Sequence, residues 1–135
     1  MSFVVLQQTD IWICDTGASS HSTKNSSGRQ NVKVMGSASL GHTGETLKAT
    51  KTIDLPGQYV TKDDTLGMKA TLTEVNFNET HNFNLMSLTR LLMRGWNIEK
   101  GDKTGIYISD GDGNKVAFDI VTPATRGAVF ACRFI

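Results

Sequence analysis

Trp12-Ile13-Cys14-Asp15-Thr16-Gly17-Ala18-Ser19-Ser20-His21 is the stretch that decides how this chain reads. A short apolar run ends abruptly in a carboxylate, and a hydroxyl, a glycine and small residues follow. The β-branched and aromatic members of the run predict a strand over 11–14, and the residues behind it favour a turn. An acid that closes a buried run is poorly hydrated, which makes Asp15 a candidate for proton chemistry. Gly17 would let main chain approach a partner backbone closely, and the Thr16 hydroxyl is available to tie the loop down. Asp, Thr and Gly are all turn formers, so the triplet alone also reads as a plain turn.

Outward from this stretch the chain looks like a set of short strands. Runs at 31–35, 46–55, 68–77, 105–109, 116–121 and 128–134 are rich in β-branched or aromatic residues and bounded by Gly, Asp, Asn or Ser. Thr50, Thr52, Thr71 and Thr73 supply the alternation that a wet sheet face requires. Leu85, Leu88, Leu91 and Leu92 recur at helical spacing before Gly95, which predicts one short helix at about 87–94. Asp110-Gly111-Asp112-Gly113-Asn114 lies between two strand-like runs, and its residues tolerate positive φ, so a hairpin turn is expected. A calcium loop fails there, because Lys115 stands where Gly is needed and Val121 where a bidentate Glu is needed.

The 135 residues suit one domain, spanning 1–135, with 39% hydrophobic and 20% charged residues. No run approaches the roughly 20 apolar residues of a spanning helix, and the short apolar opening at 1–6 lacks the marks of a signal peptide. An intracellular place is expected, with no membrane partner. Net charge is +1 with Lys and Arg scattered among acids, so no footprint for nucleic acid stands out. Cys14 and Cys132 lack the spacing of a zinc site or redox motif and read as two buried or idle thiols, with a disulfide between them as the alternative. No metal and no cofactor is expected.

The stretch at 12–21 resembles the active-site loop of aspartic proteases, where an apolar pair precedes Asp-Thr-Gly or Asp-Ser-Gly and then Ala or Ser. With Trp12 upstream and Ser20, His21 and Ser22 downstream, it is similar to the retroviral-like protease of copia-type LTR retrotransposon polyproteins, whose usual form has Ser in place of Thr16. Three further landmarks agree with the resemblance. The segment 31–55, with Leu40-Gly41-His42-Thr43-Gly44 between strand-like halves, stands where that family has its flap hairpin. Asn84-Leu85-Met86-Ser87-Leu88, with Leu91, Leu92 and Gly95, resembles the family's second conserved stretch, an apolar strand feeding a short helix. Gly127-Ala128-Val129-Phe130 resembles its terminal strand region. Met86 departs from a commoner Leu, and Ser87 stands where retroviral relatives carry Gly.

The resemblance implies an all-β, retropepsin-like closed barrel with a flap hairpin, working as a homodimer. It implies Asp15 as the catalytic carboxylate within a loop of Thr16, Gly17 and Ala18, and residues 40–44 as flap and substrate contacts. Peptide hydrolysis by this route needs two carboxylates sharing a proton. Only one Asp-Thr-Gly occurs in the sequence, so the second carboxylate is expected from a second copy of the chain. The implied substrate is polypeptide, the chain's own polyprotein, processed in the cytoplasm or in virus-like particles.

Two other classes remain open at this point. One is a catalytically inactive dimerisation or peptide-binding module on the same fold. The other is a metal or nucleophile enzyme using His21, His42 or His81 with Ser19, Ser20 or Cys14, against which stand the dispersed histidines and the lack of a Gly-x-Ser-x-Gly elbow. His21 is close enough to the loop to hold it by a hydrogen bond, and it is not assigned a catalytic role.

Overall fold

Strand-forming runs separated by Asp, Gly and Asn give a mostly β chain in the computed structural model, which describes residues 3–24, 33–35, 50–77 and 82–135. The elements in order are α1 (Phe3–Leu6), β1 (Ile11–Asp15), β2 (Ser22–Thr23), β3 (Lys33–Met35), β4 (Thr50–Val60), β5 (Leu66–Phe77), β6 (Asn84–Ser87), α2 (Leu88–Met93), β7 (Asn97–Asp102), β8 (Gly105–Ser109), β9 (Lys115–Phe118), β10 (Ile120–Ala124) and β11 (Gly127–Phe134). Eight strands form a sheet in the order β10-β11-β1-β6-β2-β5-β4-β3, and β11 also pairs with β4, so hydrogen-bonded neighbours run round a ring. The strands β7, β8 and β9 form a separate three-stranded sheet.

One buried cluster draws on both sheets, taking Trp12, Tyr59, Met86 and Phe134 from the larger and Ile108, Val116 and Phe118 from the smaller. Trp12 meets Phe134 edge-on at 6.0 Å between ring centroids, an arrangement that adds roughly 1 kcal/mol to the burial of the rings. The indole is therefore a core residue that anchors the strand leading to Asp15. Leu6 of α1 packs with Ile11, Ile120 and Ala131 in a smaller cluster at the start of β1. That helical turn at the apolar opening, beyond the one helix expected, buries Leu6 under the strand that follows.

The predicted helix forms over Leu88–Met93, capped by Ser87, whose Oγ accepts the N–H of Arg90 at 3.1 Å. The predicted hairpin turn joins β8 to β9. Asp110 Oδ1 accepts the N–H groups of Asp112 and Asn114, each at 2.9 Å, and Oδ2 accepts the Asn114 amide at 2.9 Å, so both oxygens serve the turn itself.

Three strand expectations are corrected. The run ending at Leu55 continues through Pro56 to Val60: register shifts at Ile53/Leu55 and Gln58/Val60 stand on either side of the proline, which is itself paired with Thr71. The run 116–121 is two strands, broken at buried Asp119, where the chain passes from the small sheet to the large one. The Asp119 carboxylate accepts the N–H of Lys62 at 3.2 Å and so fastens that corner to the β4–β5 turn. Thr52 does not lie on a wet face. It is buried, as is its neighbour Ile53, so β4 is covered on both faces there; Thr71 is exposed and Thr73 half-buried, and the side chain of Thr50 lies outside the description. Strand β7 is not among the expected runs, since Asn97-Ile98-Glu99-Lys100-Gly101-Asp102 is polar apart from Ile98 and all exposed.

Candidate active site

Strand β1 delivers Asp15 to its end by running between two neighbours, antiparallel to β11 and parallel to β6. The parallel register sets Asp15 beside Ser87, Cys14 beside Met86, Ile13 beside Leu85 and Trp12 beside Asn84. The Asp-Thr-Gly-Ala loop and the second stretch singled out in the sequence, Asn84 to Ser87, are therefore side by side although about seventy residues separate them in the chain.

The carboxyl of Asp15 is half-buried and oriented by its own loop. Its Oδ1 accepts the N–H of Gly17 at 2.8 Å and of Ala18 at 3.2 Å. Among the described residues, Oδ2 accepts no hydrogen bond. One oxygen is thus held by main chain while the other stays available to something outside the loop. Gly17 is exposed, and a side-chain carbon placed there would meet only Asp15 Oδ1 at 3.5 Å, so nothing within the described residues demands a glycine.

The loop is tied down by Ser87 and Thr89 rather than by Thr16. The Ser87 hydroxyl donates to the Ala18 carbonyl at 2.6 Å, and the Thr89 hydroxyl donates to the same oxygen at 2.9 Å. Thr16 is exposed and bonds nothing among the described residues. Thr89 was not foreseen; its signal is a second hydroxyl two residues past a helix cap, in a place where short side chains reach main chain.

Asn84 is fully buried and uses its whole side-chain capacity. Its Oδ1 accepts from the Thr23 hydroxyl at 2.8 Å and the Lys24 N–H at 3.2 Å, and its Nδ2 donates to the carbonyls of Thr9 at 3.0 Å and Ile11 at 3.2 Å. It joins β6 to the start of β1 and the end of β2. Met86 is buried with its sulfur accepting from the Tyr59 hydroxyl at 3.5 Å, and half-buried Leu85 also pairs with Ser22. With Ser87, these three residues of β6 support the loop.

His21 lies behind the loop, 2% exposed, and its Nδ1 accepts the N–H of Ser87 at 2.8 Å. Burial, and then the positive charges of Arg90 and Arg94, lower its pKa to about 4. With Nδ1 engaged by main chain, this imidazole is not placed to activate a serine or cysteine. Ser20 accepts from the Asn76 amide at 2.8 Å. Cys14 is held as the thiol, its pKa pushed up to about 12 by burial and then by the negative charge of Asp15. Cys132 of β11, far off in sequence, comes to the strand next to β1, and both thiols are free.

The flap candidates Leu40, Gly41, His42, Thr43 and Gly44, and also His81, lie outside the described residues. Among the described residues no cluster of three or more His, Cys, Asp or Glu could hold a metal, and no helix is long and apolar enough to cross a membrane. An open groove of about 600 Å³ lies on β4 and β5 against the C-terminal Ile135, lined by Pro56, Gly57, Lys69 and Thr71 among others, and Asp15 does not line it. Comparison with family models, with curated proteins and with solved structures gives no match to this chain.

Proposed function

We propose that this chain is an aspartic endopeptidase of the retroviral-like kind, a homodimer in which the Asp15 carboxylates of two copies meet across a two-fold axis. The observation that carries the reading is the state of Asp15: at the end of β1, in an Asp-Thr-Gly-Ala loop, with Oδ1 held by two main-chain N–H groups and Oδ2 unengaged among the described residues. A carboxyl so fixed has one oxygen prepared for a water or a second carboxyl, and the tie from Ser87 and Thr89 to Ala18 keeps it there.

Two such groups about 3 Å apart cannot both be ionised cheaply, so the pair holds one proton over a range of pH and titrates as a unit. The ionised member takes a proton from the water between them as it attacks the peptide carbonyl. The protonated member donates to the carbonyl oxygen and later to the leaving amine. A peptide in extended form would lie over the dyad, with residues 40–44 as its proposed contacts. The substrate is the polyprotein of a copia-type retrotransposon that carries the chain, cleaved inside the cell or in a virus-like particle.

The test is cleavage of a peptide library by the purified chain and by Asp15→Asn. Endoproteolysis with a bell-shaped dependence on pH is expected from the first and none from the second. Equal cleavage by both would remove Asp15 from the chemistry.

A further inference from the structure

His21 is the buried titratable group next to the site that the proposed chemistry does not use. Its ring accepts from Ser87, and its main-chain carbonyl accepts the N–H of Asn76 at 2.9 Å. The residue therefore fixes the end of the Asp15 loop to β5 on one side and to the β6–α2 junction on the other. A ring nitrogen that accepts an N–H carries no proton, so the neutral ring keeps its proton on Nε2. The imidazolium has two donors and no acceptor. Protonation would set an N–H on Nδ1 against the N–H of Ser87, two donors 2.8 Å apart in a buried place.

Ser87 is the residue that cannot move without consequence. Its hydroxyl and that of Thr89 converge on the Ala18 carbonyl, and Ala18 in turn donates its N–H to Asp15 Oδ1. We propose that neutral His21 is a positioning residue for Asp15, a lock that holds the β6–α2 junction against Ala18 and lets go of the Asp15 loop when the imidazole is protonated. The site then has an acid limit that its carboxylates do not set. That Asp15 is the reacting acid rests on the reading above; the lock on its loop does not.

The charges acting on the ring come from Arg90 of α2 and Arg94 at its C-cap, while Asn76 of β5 and Ser87 of β6, which bond the residue from the sheet, are neutral. Burial and these two cations oppose protonation until about pH 4, so the lock stays closed in mild acid and opens below it.

The test follows the His21 ring and the amides of Ser87, Ala18 and Gly17 by NMR from neutral pH into acid. It is run in Asp15→Asn, where the loop acid no longer titrates, with cleavage measured on the chain that keeps Asp15. In Asp15→Asn the Ser87 and Ala18 amides should move in step with the ring at a midpoint near 4. His21→Asn places a non-titrating oxygen where Nδ1 stands; it should restore cleavage to within about threefold of the parent and weaken the loss in acid. His21→Ala should displace the Ala18 amide already at neutral pH and lower kcat by at least about tenfold with little change in KM. Amides that ignore the ring titration, or an unmoved Ala18 in His21→Ala, would overturn the lock, and the titration in Asp15→Asn decides this even where the alanine variant does not fold. Amides that move as expected in a chain that cleaves nothing would uphold the lock and sink the protease reading instead.

Discussion

Asp15 and Ser87 are register partners at the ends of the parallel strands β1 and β6, and through Ala18 the serine hydroxyl holds the loop that orients the aspartate. The same oxygen caps α2 by accepting from Arg90. A single hydroxyl thus couples helix start and candidate site, and its removal should be felt in both.

Ser87→Ala is expected to lose the cap and one of the two ties on Ala18. Caps of this kind are worth about 1 kcal/mol and a buried hydrogen bond about as much, so urea denaturation should show a loss of roughly 2 kcal/mol. Cleavage should fall more than stability alone explains. A variant as stable as the parent would mean that Thr89 alone holds the loop.

Asn84→Leu keeps the branched outline of the side chain but is bulkier, and it removes four hydrogen bonds. The Thr23 hydroxyl, the Lys24 N–H and the carbonyls of Thr9 and Ile11 lose a partner at a fully buried site. A cost of roughly 3 kcal/mol or more is expected in equilibrium unfolding, since the transfer gain of an apolar side chain does not offset four lost hydrogen bonds and the added bulk at a fully buried position.

Gly105 and Gly111 form a matched pair. Gly105 has φ +152 and lies where a side-chain carbon would come within 2.6 Å of the Phe118 carbonyl, whereas nothing stands within 4 Å of Gly111. Gly105→Ala should lower stability by roughly 3 kcal/mol and Gly111→Ala by less than about 0.5 kcal/mol. Thermal unfolding of the two variants side by side checks this, and equal melting temperatures would contradict the geometry of the β8–β9 sheet.

Stability should also follow His21. Its pKa is lower folded, about 4, than its ordinary value of 6.5, so below 6.5 the unfolded chain binds a proton that the folded chain refuses. The contribution is complete above about pH 6.5 and is lost as pH falls toward 4, on the order of 3 kcal/mol in all. Denaturation at a series of pH values should show this loss in the parent and a smaller one in His21→Asn. The same loss in both would assign it to other groups.

Much of this architecture is legible in the residues, and the rest shows what local pattern does not carry. The strand 105–109, the helix before Gly95 and the turn at 110–114 follow from propensity and spacing, since each is decided by its own residues. Strand β7 escapes notice because it buries nothing, and the continuation of β4 past Pro56 because bulges are set by pairing, not by the strand itself. The break at Asp119 is a tertiary event, a buried carboxylate fastened to Lys62. The candidate loop at Asp15 stands out in sequence because an acid ends an apolar run. The part played by Thr89 does not, nor does the choice of Ser87 as the partner of His21, since each joins residues more than sixty positions apart.

The most direct test of the central claim is the stoichiometry with which a statine-type transition-state analogue binds, read by titration calorimetry over a range of protein concentrations. One inhibitor for every two chains, tightening as concentration favours the dimer and lost in Asp15→Asn, is the predicted result. One inhibitor per chain, or equal binding by Asp15→Asn, would contradict a site made from two copies of Asp15.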